Sequence, residues 1–351
     1  MKQLRWNFAG RIGPMVGAIG LSMAMACGGA LAQGKSPGKT AGKTYVMKIS
    51  LPTLGDPSFV FAHNFAAALA KDSGGRIKPQ IFPASQLGSI PRQIEGTQFG
   101  SIQCVIIPPE FFVGVDQRFE LLSAPGLVDS MAHGQRLAAD PQLLQLMLGL
   151  GADKGLHGVA LFMNSPSSVI SKTPIRHLAD FKGKKIRVLA SPFQEQPLAR
   201  LGATPVAMTL ADVVPALQQG TIDGSVGGIV VFTPMHFYDA AHYVTETGQP
   251  AIFAIAEVNK KWFDGLPADL QKLVERDARE QQKAIIPIAD QIVDKDRKGW
   301  TAQGGELINL PADEQAKMMK TFSQVVAQVA SEKPALAAAY KIVRGAADRT
   351  R

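Results

Sequence analysis

From Tyr45 onward, short apolar runs alternate with stretches of helical periodicity, and further along the chain the alternation begins again. Tyr45–Leu51 (YVMKISL) has strand character and runs into the breaker-rich Pro52–Pro57. Phe59–Lys71 spaces Phe61, Phe65 and Leu69 on one helical side. Ser73-Gly74-Gly75 then offers the left-handed backbone that ends a helix. Ile77–Phe82 reads as a strand, Ile90–Phe99 as a second helix and Ile102–Ile107 as a buried strand. This order predicts a mainly parallel sheet covered by helices.

The second unit opens with strand-like Gly158–Met163, Val169–Ser171 and Lys185–Leu189. Phe193–Leu201 reads as a short helix, Pro205–Ala207 as extended chain, and Leu210–Gln219 as a helix closed by Gly220. Asp212 near its start suits the helix dipole, and Pro215 is tolerable only near the first turn. Two α/β units in succession predict two lobes with a cleft between them. A helical pattern from Ala268 to about Gly299 would extend ~45 Å if unbroken, enough to run beneath both, with a kink at Pro287. Ala312–Glu332 reads as the helix that finishes the fold. The expected division is a first lobe of residues 45–163 plus about 253–290, and a second of 164–252 plus about 291–345.

The first 32 residues have the form of a secretory signal. Lys2, Arg5 and Arg11 make a positive start, Ile12–Ala26 carries no charge, and Ala30-Leu31-Ala32 offers small residues before a cleavage at Gln33. The apolar stretch falls short of the ~20 residues that span a bilayer. Cys27 raises the possibility of a lipoprotein, but Ala24 stands where a larger aliphatic residue is preferred. Residues 33–44 then form a flexible tether. Removing the signal leaves Cys104 alone, so no internal disulfide can staple the fold and a hydrophobic core must hold it. The formal charge falls from +8 to +5, which suits anionic small molecules and is too little for a nucleic-acid footprint.

The chain mimics several catalytic motifs without meeting their requirements. Gly38-Lys39-Thr40 and Gly42-Lys43-Thr44 lack the glycine five residues earlier that a phosphate loop needs. Gly149-Leu150-Gly151 follows helical sequence and has Lys154 in the sixth place of a dinucleotide fingerprint. Asp223-Gly224-Ser225-Val226-Gly227 has Asp223 where a nucleophile elbow needs glycine. His236 and His242 are six apart with no cysteine partner, so neither a metal site nor a cofactor is expected.

Five blocks in order carry a resemblance. They are Ser73-Gly74-Gly75-Arg76-Ile77, Phe82-Pro83-Ala84-Ser85-Gln86-Leu87-Gly88, Phe181–Val188 (FKGKKIRV), Ala216–Gly224 (ALQQGTIDG) and Leu266–Lys272 (LPADLQK). Together they resemble the DctP-type solute-binding proteins of tripartite ATP-independent periplasmic (TRAP) transporters, over roughly Tyr45 to Asn309. The resemblance implies a two-lobed α/β periplasmic binding protein fold, a ligand cleft between the lobes and a long helix spanning both. It also implies a monomer, a small organic acid as ligand, a membrane permease as partner and a place in the periplasm.

The family's carboxylate-binding arginine matches Arg187, whose planar fork can hold a carboxylate as lysine cannot. Ser167 stands where many members have a second arginine, Gly227 replaces a ligand-binding asparagine and Leu210 a pocket aromatic. Pro108 and Pro109 fall where a polar side chain often reaches the ligand. These replacements imply an apolar pocket and a monocarboxylate with an apolar or aromatic body. The alternatives are a ligand sensor serving a signalling kinase, an exported hydrolase on the same scaffold, and a relic that no longer binds.

Overall fold

The computed structural model describes residues 43–189, 191–332 and 334–351. The first stretch places β1 (Tyr45–Ser50), α1 (Pro57–Asp72), β2 (Ile77–Phe82), α2 (Ile90–Phe99) and β3 (Cys104–Ile107). Asp56 starts α1 by accepting from the Phe59 amide at 3.0 Å, and Pro57 sits in the first turn, where its missing N–H costs nothing. Two 3-10 turns, Pro109–Phe112 and Gln117–Ser123, lead to α3 (Met131–Ala138), α4 (Pro141–Gly149) and the ten-residue β4 (Leu156–Ser165). Next come β5 (Ser168–Ser171), β6 (Lys185–Val188), α5 (Pro192–Arg200), β7 (Thr204–Ala207) and α6 (Leu210–Gln219). They are followed by β8 (Gly224–Gly227), α7 (Ile229–Phe232), β9 (Tyr243–Glu246) and β10 (Ile252–Asn259). The chain ends with α8 (Lys260–Asp264), α9 (Ala268–Ala284), α10 (Ile286–Ala302), β11 (Glu306–Asn309), α11 (Ala312–Glu332) and α12 (Pro334–Arg349).

The strands form two sheets, in the orders β2-β1-β3-β10-β4 and β11-β9-β5-β8-β6-β7. In the first, β1 runs parallel to β2 and β3, as the alternation predicts, but β10 is antiparallel to both β3 and β4. Every residue of β10 is buried, because it is a central strand covered on both faces. In the second sheet β6 is parallel to β7 and β8, whereas β5 is antiparallel to β8 and β9. Both sheets are therefore mixed.

Two short links carry the chain between the sheets, residues 166–167 after β4 and 247–251 before β10. They are tied together: Gly248 N and Thr247 Oγ1 both donate to the Ser167 carbonyl, at 2.9 and 3.2 Å. The third connection is the helix pair α9–α10. Leu270, Val274 and Ala278 of α9 pack in the first sheet's core, and Ile292, Val293 and Trp300 of α10 in the second's. The expected single helix divides at Ile285, just before Pro287, which has no N–H to give to the preceding turn.

The helix α12 departs from the expected organisation. Ala312–Glu332 does not finish the fold, and residues beyond 334 do not join the second lobe. Leu336, Val343 and Ala347 of α12 pack with Leu121, Leu137 and Leu143 in the first lobe's core.

Candidate functional site

On β6, Ile186 and Val188 face the second lobe's core, so strand alternation turns the residue between them to the other face. That residue is Arg187, only 2% exposed. Its Nε donates to the Met208 carbonyl at 2.9 Å and Nη1 to the Val226 carbonyl at 3.2 Å. Arginine has five N–H groups, so these two bonds leave part of the fork available. No carboxylate among the described residues lies within ion-pair distance of it. Burial lowers its pKa to about 10, partly offset by the charge of Glu110, so it remains a cation at neutral pH.

Arg187 lines a partly open cavity of about 50 Å³ between the two sheets. From the first lobe come Thr53 and Asp56 before α1, Ile106 of β3, Pro108 and Phe111 after it, Asn164 of β4 and Ile252 of β10. From the second lobe come Leu189, Leu210, Val226, Gly227, Val231 and Phe232. The walls are mainly hydrocarbon, with Arg187 as a cationic pole and a polar group around the start of α1. In that group Thr53 Oγ1 donates to Asp56 Oδ1 at 2.8 Å, and Asn164 Oδ1 accepts from the amide and hydroxyl of Ser58 at 3.2 and 3.1 Å. Burial outweighs these bonds for Asp56 and lifts its pKa to about 6.

The sequence-predicted residues fall in two sets. Arg187, Leu210, Gly227 and Pro108 line the cavity; Ser167 and Pro109 do not. Ser167 lies in the hinge link, where its carbonyl receives the two bonds from residues 247–248. Pro109 is buried at the start of the 3-10 turn that Pro108 precedes. Gly227 has a local reason: a Cβ there would lie 2.7 Å from a ring carbon of Phe232. Phe232 puts an aromatic ring on the same cavity wall, beside the aliphatic Leu210.

Sequence reasoning passed over Asp56, Phe232 and Glu110. Glu110 is 2% exposed, and its Oε1 accepts from Gln194 Nε2 at 3.0 Å. Its one-letter signal is an acid inside the apolar run CVIIPPEFF. Among the described residues no group of three or more His, Cys, Asp or Glu is arranged to hold a metal ion.

Comparison with known proteins gives concordant matches. The family model for bacterial extracellular solute-binding protein family 7, DctP, matches residues 51–333. The C4-dicarboxylate-binding periplasmic protein DctP of Rhodobacter capsulatus is 27% identical over 318 residues, 90% of this chain and 92% of that protein. The uncharacterized protein YiiZ of Salmonella typhimurium is 29% identical over 61% of this chain, a match that spans 65% of the relative's own length. In three dimensions the chain superposes on a TRAP periplasmic solute-binding protein from Desulfovibrio salexigens, solved with bound orotic acid. The TM-score is 0.83 at 22% identity, covering 88% of this chain and all of that one.

Proposed function

Because the chain belongs to the DctP family of bacterial extracellular solute-binding proteins, we propose that it captures a small organic acid in the periplasm for a TRAP-type membrane permease. The observation that carries this reading is Arg187: a buried cation on a cavity wall, braced by two carbonyls and without a carboxylate of its own. A ligand carboxylate completes that fork by bidentate, charge-assisted hydrogen bonds. The hydrocarbon of Ile106, Phe111, Leu210 and Phe232 favours a flat or apolar body on the acid. One cation on the cavity wall favours a monocarboxylate. Orotic acid in the structural neighbour has such a shape, whereas the Rhodobacter relative is named for C4-dicarboxylates. The signal-like residues 1–32 support export, and the protein works as a monomer that releases its ligand chemically unchanged.

The test is a thermal-shift screen of residues 33–351 against small carboxylic acids paired with their amides. An acid at about 100 times its Kd stabilises the native state by ~2.7 kcal/mol, and its amide leaves the midpoint in place. Equal shifts with acid and amide, or none with any acid, would overturn the carboxylate reading.

A further inference from the structure

β4 is an edge strand of the first sheet, with α4 packed on one face of that sheet and α9 on the other. Two glutamines close its free edge. Gln135 Nε2 donates to the Met163 carbonyl at 2.9 Å, and Gln282 Oε1 accepts from the Leu161 backbone N–H at 3.1 Å. These amides satisfy backbone groups that an open edge leaves unpaired. Against them, between α4 and α9, lies a surface groove of about 560 Å³, a size that suits a small molecule. It shares no lining residue with the Arg187 cavity.

The groove has two kinds of wall. One is hydrocarbon: Pro141, Leu144 and Leu148 of α4, joined by Ile286 at the start of α10. The other is cationic: Arg279 of α9 and, one turn on along the same helical face, Lys283. Arg279 is half-buried, and its Nη1 is shut off from solvent without a hydrogen-bond partner. Burial lowers its pKa against the opposing charge of Glu275, and a guanidinium stays charged under either influence. Glu275, one turn earlier on α9, is bonded instead to His157 Nε2 at 3.1 Å. The other arginine of α9 makes the contrast: Arg276 pairs with Asp72 and Asp277 at 2.6 and 2.7 Å. Lys283 is exposed and, among the described residues, has no carboxylate partner. Two cations thus line the groove beside a single acid that is already engaged. A buried donor left unbonded costs stability, which a hydrogen-bonding anion restores.

We propose that this groove is a second binding site, for a small anion (a carboxylate or a phosphate) carried on an apolar body. The anionic group takes the fork of Arg279 with Lys283 beside it, and the apolar body lies on Leu144, Leu148 and Ile286. The proposal does not depend on what the Arg187 cavity binds.

The test uses hexyl phosphate, with inorganic phosphate and hexanol as its two halves, followed by 1H–15N NMR of the arginine side chains. Arg279→Gln assigns the signal. Hexyl phosphate should shift the Arg279 signal saturably and bind at least tenfold more tightly than either half, about equally in wild type and in Arg187→Gln. Arg279→Gln should weaken binding about tenfold or more, and Lys283→Gln about two- to fivefold. Leu144→Glu, which sets an acid on the opposite wall, should abolish it. Without ligand, Arg279→Gln should melt no lower than wild type, because it removes an unpaired, partly buried charge. No saturable shift, equal binding of phosphate and hexyl phosphate, or unchanged affinity in Arg279→Gln overturns the proposal. Binding that is lost in Arg187→Gln also overturns it, by placing the ligand in the cavity. If Arg279→Gln fails to fold, Leu144→Glu decides, and unchanged affinity there overturns the proposal.

Discussion

Arg187 is expensive to bury, and its two carbonyl partners reduce that cost without cancelling its charge. Truncation to alanine should weaken acid binding by ~2–5 kcal/mol, the cost of removing one partner from a buried charge pair. Arg187→Lys should recover little of it, since an ammonium lacks the planar fork. Calorimetry of both variants checks this, and unchanged affinity in Arg187→Ala would remove the residue from the site. Glu257 is a different kind of buried charge. It is fully buried in β10, neither oxygen has a hydrogen-bond partner, and burial raises its carboxyl well above the ordinary range. The folded state holds a proton that the unfolded chain releases, so stability falls as pH rises above the ordinary carboxylate range. Glu257→Met should therefore stabilise by ~1–3 kcal/mol at pH 8, with a smaller gain at pH 4, in urea melts at the two values. Arg187 was legible because FKGKKIRV gives it a context of eight residues. Glu257 and Glu110 are single acids in apolar runs, and only the packing of distant segments shows that they are sealed.

Among the elements, those with a strong local signal were legible: the body of α1, the break at Pro287 and the alternation through β3. The misread ones depend on tertiary placement. β10 has no period of two because both its faces are covered, so its eight residues give no amphipathic signature. The helix α12 was hidden by Pro334, which reads as a stop but stands in the first turn of a new helix. Its apolar face fills a gap in the first lobe, with Leu336 at 2% exposure and Val343 fully buried. Burying each such side chain is worth ~1.5–3 kcal/mol, and a domain's whole stability is ~5–15 kcal/mol. A chain ending at residue 333 should lose most of its thermal stability or fail to stay soluble. A melting temperature within a few degrees of wild type would show that α12 is peripheral. At the second lobe's edge of the cavity, Gly227→Val should drive the Phe232 ring from its place and weaken acid binding at least tenfold, measured against unaltered far-UV circular dichroism.

For the whole molecule, four connections join the lobes: the bonded links around Ser167 and Gly248, the divided helix pair α9–α10, and the passage through α11 from β11 in the second sheet to α12 in the first lobe's core. The cavity between the lobes is lined from both, so lobe closure around a ligand adds the second lobe's contacts to the first's. Small-angle scattering should show a smaller radius of gyration with a bound acid than without; an identical radius would mean that the ligand-free protein already rests closed. The two-lobed plan was legible from the repeated strand–helix order, whereas the bond from Gln194 to Glu110 arises only where the lobes meet. The most direct test is a crystal structure with the first stabilising acid bound. It should place the carboxylate on the Arg187 guanidinium, inside the cavity, with the bonds to Met208 and Val226 kept. A carboxylate bound elsewhere, with Arg187 facing water or hydrocarbon, would contradict the account.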